Sequence, residues 1–213
     1  HIGDSEGYGW YDGNSGGDGL TVDGVSYTFP LDDKTTVTAG SDTDGSALFT
    51  TACVYGGPGN LLDDCGNVNA GITGGAITVG ASYDIGGGFA AAFGAQTENT
   101  STFTEESADA YALNLAYTAD DYGLSLTYGV VEATAGDPAV LTDEENKYTA
   151  INGYYTPEGS LPSISVGYEI GDIGGAAATA DEQTSFMVGL TWDEVGPGSA
   201  GIAAGFSNSN EAD

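Results

Sequence analysis

The sequence predicts an all-β protein, an antiparallel up-and-down transmembrane β-barrel with about ten strands in this chain that form part of a larger barrel. Three observations carry that prediction. Large apolar side chains recur at every second position through most of the 213 residues, the period of a strand and not of a helix. Short turns alternate with long acidic, glycine-rich connections. The strand faces opposite the apolar rows hold small or polar groups and almost no charge.

Taken in order, Val25, Tyr27 and Phe29 alternate with small or polar residues up to "LDDK", and Thr35, Val37 and Ala39 continue beyond it. Ile77, Val79, Ala81 and Tyr83 lead into "DIGGG", followed by Phe89, Ala91, Phe93 and Ala95. Tyr111, Leu113, Leu115 and Tyr117 precede "ADD", with Leu124, Leu126, Tyr128 and Val130 after it. Thr149, Ile151 and Tyr155 precede "TPEGSLP", then Ile164, Val166, Tyr168 and Ile170 follow. Phe186, Val188, Leu190 and Trp192 precede "DEVGPGS", with Ile202, Ala204 and Phe206 beyond. The implied strands, roughly eight to eleven residues each, are near the length that a tilted strand needs to cross hydrocarbon.

Between hairpins lie "SDTDGSALFTTACVYGGPGNLLDDCGNVNAG", "TENTSTFTEESA", "TAGDPAVLTDEEN" and "GDIGGAAATADEQT", all read as loops. Consecutive connections of an up-and-down barrel emerge at opposite ends, so short turns gather at one rim and long loops at the other. Outer-membrane barrels show this asymmetry, with short periplasmic turns and long extracellular loops. Residues 1–213 are read as one domain and a fragment of a longer barrel, with 41–74 as a long loop carrying both cysteines.

The face opposite the apolar row decides the environment. In the central hairpin it is Ala110, Ala112, Asn114 and Ala116, then Gly123, Ser125, Thr127 and Gly129. A soluble sandwich would carry several Lys, Arg and Glu on its water face, so the large apolar row is assigned to outer-membrane lipid and the small face to a hydrated lumen. Tyr111, Tyr117, Tyr122, Tyr128, Tyr155, Tyr168 and Trp192 cluster toward strand ends, as interfacial aromatics do. An extracellular structural or adhesive β protein, its small faces stacked in fibres, is the alternative from a different class.

There are 32 acidic residues against two lysines, Lys34 and Lys147, for a net charge of -30. Nucleic acid is excluded as a partner, because no basic patch can be assembled against phosphates. A field of this sign attracts cations. The pore-lining candidates are Asn114, Ser125 and Thr127, together with Asp84, Glu132 and Glu169, which are read as inward-facing carboxylates near strand ends that favour cations. Small hydrophilic solutes and inorganic ions are the expected cargo, and oligomerisation is left open.

Cys53 and Cys65 bracket "VYGGPGNLLDD". A disulfide closing that loop is the favoured reading over two free thiols, and would stabilise by about 3 kcal/mol. No enzyme is expected. "GDSEG" and "GNSGG" match a nucleophile elbow, but His1 is the only histidine and no strand-to-helix turn surrounds them. No cofactor is implied except calcium, for which Asp12, Asn14, Asp18 and Asp23 in "DGNSGGDGLTVD" are weak candidates: Gly16 stands where an EF-hand offers an oxygen.

The stretches "GYGWYDGNSGGDGLTVDGVSYTFPL", "TACVYGGPGNLLDDCGN", "LNLAYTADDYGLSLTYG" and "GYYTPEGSLPSISVGYE" together resemble the barrel part of cyanobacterial outer-membrane porins, particularly the acidic marine type, which are related to carbohydrate-selective porins. That resemblance runs along nearly the whole chain and implies an outer-membrane location and passive transport. It also implies a cell-wall-anchoring domain elsewhere in such a protein. No sugar-binding residue is matched.

Overall fold

The computed structural model describes residues 24–55, 65–98, 108–135, 140–174 and 181–210. Asp12, Asn14, Asp18 and Asp23 lie outside them. The described strands are β1 (Val25–Pro30), β2 (Thr35–Thr43), β3 (Gly75–Gly86), β4 (Phe89–Thr97), β5 (Asp109–Thr118), β6 (Tyr122–Ala135), β7 (Val140–Tyr155), β8 (Ser163–Asp172), β9 (Glu182–Val195) and β10 (Gly198–Asn210). They form one sheet in the order β1-β2-β3-β4-β5-β6-β7-β8-β9-β10, each strand antiparallel to the next, and no helix occurs among the described residues. Among these residues β1 pairs with β2 and β10 with β9, and the two outermost strands do not pair with each other.

The two sheet faces differ as the alternation requires. Leu113 and Leu115 are 55% and 54% exposed, whereas Ala112 and Asn114 beside them are 0% and 2% exposed. On β8, Ile164, Val166, Tyr168 and Ile170 are exposed and Ser163, Ser165, Gly167 and Glu169 are buried. A sheet in water buries its large apolar side chains; this one, with Met187, Tyr148 and Val130 as exceptions, buries mainly small or polar residues and presents the large apolar ones outward.

Aromatic rings collect at the rim of the short turns. Tyr117, the last large outward residue of β5, lies 4.6 Å from the ring of Phe89 and 5.7 Å from that of Tyr122, joining three strands across their ends. Lys34, in the β1–β2 turn, sits 5.9 Å above the Tyr83 ring. A ring with an apolar body and a polar tip suits a boundary between hydrocarbon and water.

One expected loop is largely strand. "TAGDPAVLTDEEN" was assigned to a long connection, yet β6 continues to Ala135 and β7 begins at Val140, with Thr134 opposite Leu141 and a register shift after Glu132. β7 is therefore 16 residues long, well beyond the expected length. Its "TDEEN" segment lacks apolar alternation, the only strand signal used in reading the sequence.

Candidate functional site

The described parts of the β2–β3 connection, residues 44–55 and 65–74, fold back against the small-residue face of the sheet instead of standing over its rim. Its entry and exit are tied together: Ser46 N–H and Oγ both donate to the Ile72 carbonyl at 3.1 and 2.8 Å, and Gly74 N–H donates to Asp44 Oδ1 at 2.8 Å. Backbone outside regular structure still needs partners, and side chains of β4 to β9 supply them, beginning with Gln96 of β4, which accepts from Gly45 N–H at 3.1 Å and donates to the Thr73 carbonyl at 2.8 Å.

The descending limb is bound at alternate residues. The side-chain amide of Asn114 matches both backbone groups of Thr50, accepting from its N–H at 3.0 Å and donating to its carbonyl at 3.2 Å. Ala52 N–H donates to Ser125 Oγ at 2.9 Å, and Val54 and Tyr55 N–H both donate to Ser165 Oγ, at 3.0 and 3.2 Å. Thr51 and Cys53 line a cleft of about 380 Å³ with Ser46, Asn67 and Thr73, and the Tyr55 ring at its edge lies over Gly189 of β9 and Gly201 of β10.

On the returning limb, Asn152 Nδ2 donates to the Cys65 carbonyl at 2.7 Å and Ser185 Oγ donates to the Gly66 carbonyl at 2.9 Å. Asn67 Nδ2 reaches Thr127 Oγ1 at 3.4 Å. Glu169 accepts three bonds: Asn69 N–H at 2.9 Å and Ala70 N–H at 2.8 Å on Oε2, and Asn69 Nδ2 at 2.8 Å on Oε1. Ala70 packs on Tyr148 and Ala150, and Ile72 on Ala110 and Ala112. The Cys53–Cys65 disulfide, with Cα atoms 6.3 Å apart, crosslinks the limbs.

Close approach requires glycine in three places. A Cβ on Gly94 of β4 or on Gly167 of β8 would collide with the carbonyl oxygen of Gly45 or Cys65, and one on Gly129 of β6 would lie 2.8 Å from that of Ala70. These three wall glycines form the shallow seat into which the loop backbone fits.

The six pore-lining candidates separate accordingly. Asn114, Ser125, Thr127 and Glu169 do lie at inward positions, but at 2%, 4%, 0% and 1% exposure they are covered by the loop and form its seat. Asp84 is exposed at the short-turn rim, where its Oδ1 accepts from Gly86 N–H at 2.8 Å. It borders a cleft of about 430 Å³ with Asp32, Asp33, Lys34 and Thr50. Glu132 is half-buried and lines a cleft of about 340 Å³ together with the loop residues Thr73 and Gly74 and with Gln96, Ala110 and Asn146. There, at the long-loop rim, it accepts from Asp109 N–H at 3.0 Å.

Asn152 and Ser185 are seat residues that the sequence reading did not single out. Their signal was faint: a lone amide and a lone hydroxyl at inward positions among Ala, Gly and Met. The face of the loop turned away from the wall was likewise unassigned, and its described cleft residues bear hydroxyl, amide, aromatic and disulfide groups without charge.

Charge sits at the rims. In the β1–β2 turn, Asp32 Oδ1 accepts from Lys34 N–H at 2.8 Å and Thr35 N–H at 2.7 Å. The Lys34 backbone bond, with the Thr35 bonds beside it, holds the Asp32 carboxyl below its ordinary value of 3.8. Lys147 pairs with Glu145 at 3.5 Å, both half-exposed, a contact of small energetic weight.

No family model and no curated protein matches the sequence. Among solved structures, the chain is similar to the outer membrane channel DcaP of Acinetobacter baumannii, with a TM-score of 0.51 and 15% sequence identity over 88% of this chain. The aligned region is 59% of that channel's own length, so the present chain spans well under two thirds of it. At this identity the likeness is one of fold, that of antiparallel up-and-down strands in one sheet.

Proposed function

We propose that this chain is the wall and lumen loop of an outer-membrane porin, through which small hydrophilic solutes and inorganic ions diffuse passively, with cations preferred. One observation carries the reading: a single sheet exposes its Leu, Tyr and Ile row while its hydroxyl and amide face holds a polar loop. Hydrocarbon is the solvent that suits the first face, and a hydrated lumen suits the second. The fold shared with an outer membrane channel supports the location. In this reading the short turns, including Ala119–Asp121, are periplasmic and the long connections extracellular.

The cation preference rests on the net charge of -30 and on exposed rim carboxylates such as Asp32, Asp33 and Asp84, which raise the local concentration of positive ions. We extend the proposal to the marine cyanobacterial porins on the sequence stretches quoted above, whose described parts fall on β1, on the β2–β3 connection, and on the β5–β6 and β7–β8 hairpins. No covalent chemistry is needed. Purified protein refolded in detergent and added to planar bilayers is expected to give discrete conducting steps, with a cation-selective reversal potential in a salt gradient. Folded protein without steps sinks the pore, and an anion-selective potential sinks the charge argument alone.

A further inference from the structure

Away from the two rims, the inward-facing carboxylate among the described residues is Glu169, on β8. In a lumen it would be the natural selectivity charge. Its surroundings say otherwise. It is 1% exposed, and both its oxygens are taken by the loop: Oε2 by the N–H groups of Asn69 and Ala70, Oε1 by the Asn69 side-chain amide. These are charge-assisted bonds, the stronger kind, and two of them satisfy consecutive backbone donors that have no ladder partner. The cleft on the opposite side of the loop is lined, among the described residues, by uncharged groups.

The geometry points to Glu169 as the positioning residue of the lumen loop, one that fixes the returning limb by a three-bond clamp and contributes nothing directly to ion selection. The conduction arm of this inference rests on the pore reading above; the clamp itself does not. Among the described residues, selection by charge then falls to the rims, and the described part of the loop borders the aperture with hydroxyl, amide and aromatic groups.

Two substitutions separate the roles. Glu169→Gln removes the charge but keeps an acceptor for the two backbone N–H groups, and the Asn69 amide can turn to offer its oxygen to the new NH2. Glu169→Ala removes the clamp. Asn69→Ala removes one donor from the loop side and leaves the wall untouched, which guards against an Ala variant that does not fold.

Hydrogen exchange on refolded protein in detergent reads the clamp without reference to transport. Glu169→Ala is expected to speed exchange of the Asn69 and Ala70 amides at least tenfold, Asn69→Ala to speed that of Ala70 severalfold, and Glu169→Gln to change either by less than threefold. In bilayers, Glu169→Ala is expected to raise the unit conductance at least twofold with added open-channel noise, while Glu169→Gln leaves the reversal potential where it was. Unchanged amide protection in the variants that lose contacts overturns the clamp. A Glu169→Gln reversal potential displaced toward zero makes the residue a selectivity charge and overturns the proposal. Wild-type protein that folds but does not conduct defeats the pore reading, and the exchange experiment still decides the clamp.

Discussion

Gly167 of β8 lies directly beneath the carbonyl oxygen of Cys65, so close that a single Cβ would occupy the oxygen's place. The contact joins the wall to the disulfide at one point, since Cys65 is also bonded to Cys53. Gly167→Ala must therefore either lift the returning limb or strain the strand. We expect a loss of about 1–3 kcal/mol, the usual cost of overpacking a fitted contact, read from urea unfolding of protein refolded in vesicles. Faster exchange at Gly66 and Asn67 should accompany it.

The outward row is tested by placing charge in its middle. Leu113→Lys puts an ammonium where the side chain is 55% exposed and, in our reading, surrounded by lipid. The expected cost is about 2–4 kcal/mol in reversible folding into phospholipid vesicles. Ser82→Lys on the other face, beside Asp84 at the rim cleft, should stay within about 0.5 kcal/mol. Equal costs at the two positions would contradict the assignment of faces.

The crosslink between the limbs spans 12 positions. Closing a loop of that size restricts the unfolded chain by about 3 kcal/mol. Reducing the protein, or replacing both cysteines with serine, should lower unfolding stability by up to that amount. Circular dichroism should keep its β signal, because the limbs remain separately bonded to Asn114, Ser125, Asn152 and Ser185.

At the short-turn rim, the pH dependence follows from Asp32. Its folded-state carboxyl lies below 3.8 because the Lys34 and Thr35 N–H groups favour the charged form. A depressed carboxyl contributes stability that is present above the unfolded value and is lost as pH falls through the folded one. The Lys34 and Thr35 amides should thus stay protected across neutral pH and open only in acid, below the ordinary carboxylate range. Asp32→Ala should expose both at pH 7 and remove the acid-dependent step, as followed by amide exchange.

The hairpins were legible because each carries its own signal: Tyr111, Leu113, Leu115 and Tyr117 alternate within one strand, and "ADD" ends it. What escaped reading has a physical cause. β6 and β7 extend past the apolar belt, so Glu144 and Glu145 sit in a strand that no apolar alternation announces. The destination of the loop had no local trace, because Thr50 meets Asn114 and Ala70 meets Glu169 across 64 and 99 positions. A lone Asn or Ser among Ala and Gly indicates that something polar is needed there, without saying whether water or backbone supplies the partner.

The bond between Ser185 and Gly66 bridges 119 positions, and it imposes an order on assembly. Each hairpin can close from its own turn, with contacts only a few residues apart, whereas the loop has no complete seat until β9 has joined a sheet begun eight strands earlier. Contacts of such long range come late because their closure entropy must be met first. In the pore reading the passage is thus narrowed last: the wall is built open, and its own second connection enters as the final part.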